Sequence, residues 1–204
     1  MARPPKISNE DILSAARQVF LEQGVGASTV TIAEKAGISE ASIFKRFATK
    51  QALFLAAMGV TTEPAWAKAL ATQTPTAAIK SELTELCEQM LGLYQEVLPR
   101  MLMVMSQGKG KLPPNPPPIL PPPIRHKRLL ARFLEQGIDQ GYLKAGNPKT
   151  MAAIIVGTLI NSVITETMLH RLSTEKPGLP KLSTEPKQLA QDLIDTLWTG
   201  IKPD

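Results

Sequence analysis

Residues 27–47 read ASTVTIAEKAGISEASIFKRF. Ser28 or Thr29 caps a short helix, and Ile32, Ala33 and Ala36 form its inner face. Ala33 is small, which lets a second helix cross closely. Gly37 supplies the left-handed residue that turns the chain. Ile38 plugs the core between the helices. Ser39 caps the next helix, which turns Ile43 and Phe47 inward. Helix, tight glycine turn and helix make a helix-turn-helix unit, whose second helix is built to enter a DNA major groove. A glycine turn alone also fits an ordinary helical hairpin. The small inner residue, the cap and the basic outer face together favour the DNA reading.

That outer face carries Glu40, Ala41, Ser42, Phe44, Lys45 and Arg46. Ala41 and Ser42 allow close approach to base edges. Lys45, Arg46 and Lys50 supply positive charge for phosphates or guanine.

Working outward, the chain reads as helical almost throughout. Ser8 to Gln23 is amphipathic, with Ile12, Leu13, Ala16, Val19 and Phe20 at helical spacing, Ser8 as cap and Asp11 three residues on. Gly24 and Gly26 end it. Another helix starts near Lys50 and runs through Leu53, Phe54 and Ala57, and Pro64 ends it or opens the next piece. Thr76 to Val97 is amphipathic again. Pro99 is expected to break that helix, leaving Met101–Met105 as a short apolar one. Eight of the 18 prolines fall within positions 113–123, so residues 108–123 are expected to form an extended loop. Helix resumes from Ile124 to Gln140, then over about 149–170 and 186–200. The 149–170 helix is apolar on nearly every face at its start, which predicts burial all round. No alternating strand pattern occurs, and the expected fold class is all-α.

The 204 residues carry 23 basic and 18 acidic side chains, a formal net charge of +5. The charge is segregated: residues 1–50 have a net of +2, 51–99 of −3, 100–132 of +7 and 133–204 of −1. A basic N-terminal unit suits a polyanion. Cys87 is the single cysteine, which excludes a disulfide framework and a multi-thiolate zinc site. It reads as a small buried hydrophobe, and His126, among Arg125, Lys127 and Arg128, as a solvated side chain. There is no Gly-rich phosphate loop, no nucleophile beside a histidine and no metal-ligand spacing, so an enzyme is not expected, nor a cofactor or metal. No run of 18 apolar residues and no secretory leader are seen, so the expected setting is the cytoplasm with no membrane partner.

Residues 8–58 resemble the DNA-binding domain of the TetR/AcrR family of bacterial regulators. The resemblance rests on ILSAARQVFLEQG, TIAEKAGIS and ASIFKRFATKQALF. It implies a three-helix DNA-binding domain over residues 1–50, with a fourth helix from about 50 leading into a helical effector-binding and dimerisation domain over 51–204. Carried over by position, Glu40, Ala41, Ser42, Phe44 and Arg46 lie at the bases, and the capping Ser39 belongs to the same DNA-binding set. Thr29, Lys45 and Lys50 meet phosphates, helped by the dipole at the start of the fourth helix. Two departures bear on the operator. Phe44 lacks the phenolic hydroxyl many members carry there, and Glu40 stands where many have Lys or Gln. A carboxylate repels phosphate and accepts from cytosine N4.

The same resemblance implies a homodimer on a palindromic double-stranded operator, because one short helix reads too few base pairs. The interface is expected in the two last helices, at Ile155, Leu159, Val163, Leu193, Leu197 and Trp198. It implies a small apolar effector lined by Trp66, Leu86, Met90, Met101, Met105 and Phe133, although methionines at helical spacing also serve as plain core. The expected function is a repressor released by that effector. Two alternatives remain open at this stage: a DNA-binding regulator controlled by a protein partner at the Pro-rich segment, and a helical small-molecule-binding protein without specific DNA binding.

Overall fold

The computed structural model describes residues 7–60, 63–106, 122–175 and 185–203; of the side chains at 104–106 and 171–175 nothing is described. Every regular element among these residues is an α-helix: α1 (Asn9–Gln23), α2 (Thr29–Ala36), α3 (Glu40–Arg46), α4 (Lys50–Ala57), α5 (Ala65–Leu70), α6 (Ile79–Ser106), α7 (Pro122–Asp139), α8 (Pro148–Glu175) and α9 (Pro186–Ile201). The chain forms two compact units. Of the described residues, the first comprises 7–60 and 100–106, the second 63–99, 122–175 and 185–203.

In the first unit the helices are short and individually capped. Ser8 and Asp11 form a capping box on α1. The Asp11 amide donates to Ser8 Oγ at 3.1 Å, and the Ser8 amide donates to Asp11 Oδ2 at 2.8 Å. The Ser8 hydroxyl and then its amide hold the Asp11 carboxyl below the usual carboxylate range. Ser28, Ser39 and Thr49 cap α2, α3 and α4 by accepting from the amides of Val30, Ser42 and Ala52. The core joins Ile12, Ala16, Val19 and Phe20 of α1 to Ile32, Ala33, Ile43, Leu53, Phe54 and Met58. Phe20 and Phe54 meet edge to face, with centroids 5.1 Å apart. Arg17 Nε donates to the Ala57 carbonyl at 2.8 Å, tying α1 to the end of α4. α4 therefore packs as an integral part of this unit.

The second unit rests on longer helices. α6, α7, α8 and α9 converge on Leu83, Met90, Leu91, Tyr94, Leu130, Phe133, Leu134, Ile155, Leu159, Ala190 and Ile194. Gly141, at φ 76°, reverses the chain after α7. Asn147 Oδ1 then accepts from the amides of Lys149 and Thr150 and starts α8. The Lys144 amide donates to the Ile201 carbonyl at 2.8 Å, binding this connection to the end of α9.

Two helix boundaries and the burial of one helix differ from expectation. Pro99 lies inside α6, which runs on to Ser106. Proline removes one backbone donor and crowds the preceding turn, but the apolar flanks continue through Leu98, Met101 and Leu102, so packing overrides the local penalty. Pro122 and Pro123 belong to the first turn of α7, where a missing N–H costs nothing. α8 is not buried all round, because Ile154 is 47% and Met168 55% exposed. Residues Pro148–His170 are, by length and composition alone, apolar enough to cross a membrane. The rest of the expected Pro-rich loop, 108–121, lies outside the described residues.

Candidate DNA-recognition surface

The turn between α2 and α3 sets the geometry. Gly37 adopts φ 68° and ψ 32°, a left-handed conformation that strains any residue with a Cβ. Its amide and that of Ile38 fold back onto the last turn of α2: Gly37 N to Glu34 O at 3.1 Å, Ile38 N to Ala33 O at 3.0 Å. Ser39 Oγ accepts from the Ser42 amide at 3.2 Å, and the two hydroxyls lie 2.8 Å apart. These bonds fix where α3 begins and therefore which way its faces point.

α3 divides cleanly. Ile43 is fully buried, and Phe47 packs against the same core. Ala41, Phe44, Lys45 and Arg46 are exposed, Phe44 at 39%. Glu40 and Ser42 are half-buried, as are Thr29 and Lys50. Val30 of α2, which the sequence reading did not single out, is 49% exposed. The only signal for it was its position one residue into a capped helix.

Three expected contact residues, Thr29, Glu40 and Arg46, are engaged within the chain. The Thr29 hydroxyl donates to Glu40 Oε1, joining α2 to α3. Arg46 Nη1 donates to the Ile7 carbonyl at 2.7 Å and to Asn9 Oδ1 at 3.3 Å. Those bonds pin the entrance of α1 against the end of α3. The exposed, uncommitted face is thus Ala41, Phe44 and Lys45: one small residue, one aromatic ring and one cation.

The second unit was expected to hold an effector and a dimer interface. Trp66, Leu86, Met90 and Phe133 do come together in its core. Met101 does not join them. It packs on the core of the first unit with Val60 and Leu55, because the part of α6 beyond Pro99 belongs to that unit. The Met105 side chain lies outside the described residues. Two cavities formed by described residues of this unit are lined by other side chains. One, of about 190 Å³, lies among Leu91, Gln95, Ser162, Glu166 and Leu189. The other, of about 400 Å³, is a groove between α7 and the start of α8, edged by Lys127, Arg128, Arg132 and Lys149 with Glu135.

Of the expected interface residues, Ile155, Leu159 and Val163 are at most 2% exposed and lie in the unit's own core. A side chain already enclosed by its own subunit has no surface to offer a partner. Among the described residues, the large apolar side chains that α8 leaves exposed are Ile154 and Met168. Periodicity located the helix but not its rotation, because α8 is apolar on both sides. Leu193, Leu197 and Trp198 are half-buried. Trp198 also has Lys80 Nζ 5.8 Å from its ring centroid, and Lys80 bridges to Asp195 at 2.6 Å.

His126 is not solvated. It is fully buried, with Nδ1 2.9 Å from the Tyr94 hydroxyl and Trp66 edge-on at 4.7 Å. Burial first, then the charge of Arg125, pushes its pKa down from 6.5 to about 4, so the ring is neutral. Its Nε2 has no hydrogen-bond partner. A buried orphan of this kind costs about 1–3 kcal/mol. The sequence misled because its neighbours Arg125, Lys127 and Arg128 are charged. The helical period turns His126 inward between them. Cys87 is buried as expected, and burial pushes its thiol up to about 12. Among the described residues no cluster of His, Cys, Asp and Glu is placed to hold a metal ion.

Residues 12–57, spanning most of α1 through α4, match the model of the family described as bacterial regulatory proteins, tetR family. Solved structures share the whole architecture. NalD of Pseudomonas aeruginosa, the secondary repressor of the MexAB-OprM multidrug efflux pump, is 20% identical, with a TM-score of 0.59 over 96% of both chains. FadR from Bacillus subtilis, solved with stearoyl-CoA, is 18% identical, with a TM-score of 0.58 over 95% of this chain and 99% of that one. SmeT in complex with triclosan is 19% identical, with a TM-score of 0.62 over 96% and 91%. At such identities the likeness is one of fold.

Proposed function

We propose that this chain, a member of the TetR family of DNA-binding transcription regulators, is a cytoplasmic repressor that holds a palindromic operator as a homodimer and is released by a small apolar effector. The observation that carries the DNA part is the division of α3. Ile43 and Phe47 are committed to the core, while Ala41, Phe44 and Lys45 stand exposed on the turn that Gly37 fixes.

In this reading Ala41 lets the helix approach base edges, and the Phe44 ring makes apolar contact, as with a thymine methyl. Ser42 lies beside them. Lys45 and Lys50 meet phosphates, and the capped start of α4 adds its dipole. Glu40 and Thr29 have an additional structural role, since their mutual bond holds α2 against α3. Arg46 positions α1 through Ile7 and Asn9, and reaches a base only by releasing that contact.

One α3 helix reads a few base pairs, and two-fold pairing presents two of them about one DNA turn apart. The open apolar residues of α8, Ile154 and Met168, together with half-buried Leu193 and Leu197 of α9, support an interface built from these helices. NalD is a repressor, and FadR and SmeT were solved with ligands. These likenesses support repression and an effector here. Release then requires that the effector favour a conformer with a different helix spacing, with a coupling of about 1–3 kcal/mol.

The test is selection of retained sequences from a random DNA library at moderate salt. The expected result is a palindrome whose half-sites lie about one turn apart. Bulk, salt-sensitive binding with no enriched sequence would overturn the reading.

A further inference from the structure

His126 stands where α5, α6 and α7 of the second unit meet, and neither the fold nor DNA recognition uses its outer nitrogen. It is the only fully buried polar side chain among the described residues. Two rings wall it: Trp66 edge-on at 4.7 Å, and Tyr94 stacked at 5.7 Å with 30° between planes. The same core carries Leu86, Met90 and Phe133.

Counting donors sets the tautomer. If Nδ1–H donated to the Tyr94 oxygen, the tyrosine proton and the Nε2 lone pair would both be left without partners. If the Tyr94 hydroxyl donates to Nδ1, the imidazole proton sits on Nε2, and one group alone is unmet. The second arrangement leaves fewer orphans. It makes Nε2–H an uncharged donor inside an apolar, aromatic enclosure.

We infer that His126 is the polar recognition group of the effector site, presenting Nε2–H to a carbonyl-type acceptor on a neutral, planar aromatic ligand. The inference rests on the effector-controlled reading above and adds the chemical class of the ligand. The ring walls favour a flat aromatic partner. Neutrality follows from the surroundings. The nearest cation on α7, Arg125, is paired with Glu63 at 2.8 Å, so an anion entering here would lose its water without gaining a free counter-charge. The imidazole itself resists protonation at this site. Trp66 is only half-buried and is the wall nearest to solvent. It is the side chain that yields to admit a ligand.

Two measurements test this. The first is long-range proton–nitrogen NMR on the ¹⁵N-histidine-labelled protein at pH 7, with His170→Gln removing the other histidine. A neutral ring protonated at Nε2 is expected; protonation at Nδ1 overturns the inference. The second compares 2-acetylnaphthalene with 2-ethylnaphthalene, which lacks the acceptor. Binding is followed by Trp66 fluorescence in a Trp198→Phe background and by the Nε2 resonance. The ketone should bind about tenfold more tightly, with a shift at Nε2. That preference should vanish in His126→Phe and weaken in Tyr94→Phe, which keeps the imidazole if the first variant misfolds. Equal binding of the two probes, or no Nε2 shift, overturns the inference and leaves the DNA reading intact. A ketone that binds through Nε2 but leaves operator affinity unchanged upholds the recognition and removes the effector-controlled release.

Discussion

The two units satisfy their polar groups in opposite ways. In the first, four consecutive helices each begin on a serine or threonine whose side chain accepts a backbone proton, and the helices are 7 to 15 residues long. In the second, the helices run from 6 to 28 residues, and among the described residues both of the buried side-chain atoms without partners, His126 Nε2 and Gln136 Oε1, lie there. Under the function proposed above, the difference matches two separate tasks. A reading device must hold one shape, so its hydrogen bonds close on themselves. A sensing device must prefer a second shape when something binds, so an unmet bond is an opening for that preference.

The comparison breaks most sharply if the first unit does not stand on its own core. Phe20→Ala should cost about 3–5 kcal/mol and abolish operator binding. Urea titration followed by circular dichroism should show the helices of the second unit surviving. A single transition in which all helicity is lost together would mean that the units are not independent.

Acid should strike the second unit. His126 titrates near 4 when folded and near 6.5 when unfolded. Between these values the unfolded chain binds one more proton. The stabilisation is therefore whole above about pH 6.5 and falls as pH drops toward 4, by about 1.4 kcal/mol per unit and on the order of 3 kcal/mol in all. Denaturation midpoints measured from pH 7 to 4 should follow that slope, and His126→Phe should flatten it. An unchanged slope in the variant would place the acid sensitivity elsewhere.

Ser39→Ala should cost about 1 kcal/mol of stability, read from thermal melts. It should weaken operator binding more than Ser8→Ala does, because Ser39 sets the start of α3. Equal effects from the two would show that cap position does not matter to recognition.

The smallest effect concerns Lys45. Lys45→Ala should lower operator affinity almost uniformly across sequences and reduce the slope of log affinity against log salt by about 1. Loss confined to particular base pairs would make Lys45 a base reader.

Much of the first unit is legible in the sequence because its signals are local. Ser8 with Asp11, Gly37 before Ile38, and Ser39 before Ile43 each specify a cap or a turn within four residues. What escapes is long-range. Nothing near Arg46 in the chain announces that it holds Ile7, and nothing near Glu40 announces Thr29. In the second unit the helices are legible but their rotations are not. α8 carries apolar side chains on both faces, so Ile155 and Ile154 look interchangeable until packing buries the first and exposes the second. His126 reverses the error: charged neighbours suggest solvent, while the helical period turns it inward. Pro99 shows that a strong local signal yields when the flanking apolar residues continue the helix.

The separation of faces on α3 bears on how such a protein changes over generations. Ile43 and Phe47 keep the helix seated, and neither needs Ala41, Phe44 or Lys45 to do so. Substitutions at those three positions meet solvent rather than neighbours, where stability effects usually stay within about 0.5 kcal/mol. In the proposed DNA-reading role, the address that the helix reads is free to drift while the scaffold is kept. Descendants of one ancestral chain can therefore come to govern different genes without ever passing through an unfolded intermediate form.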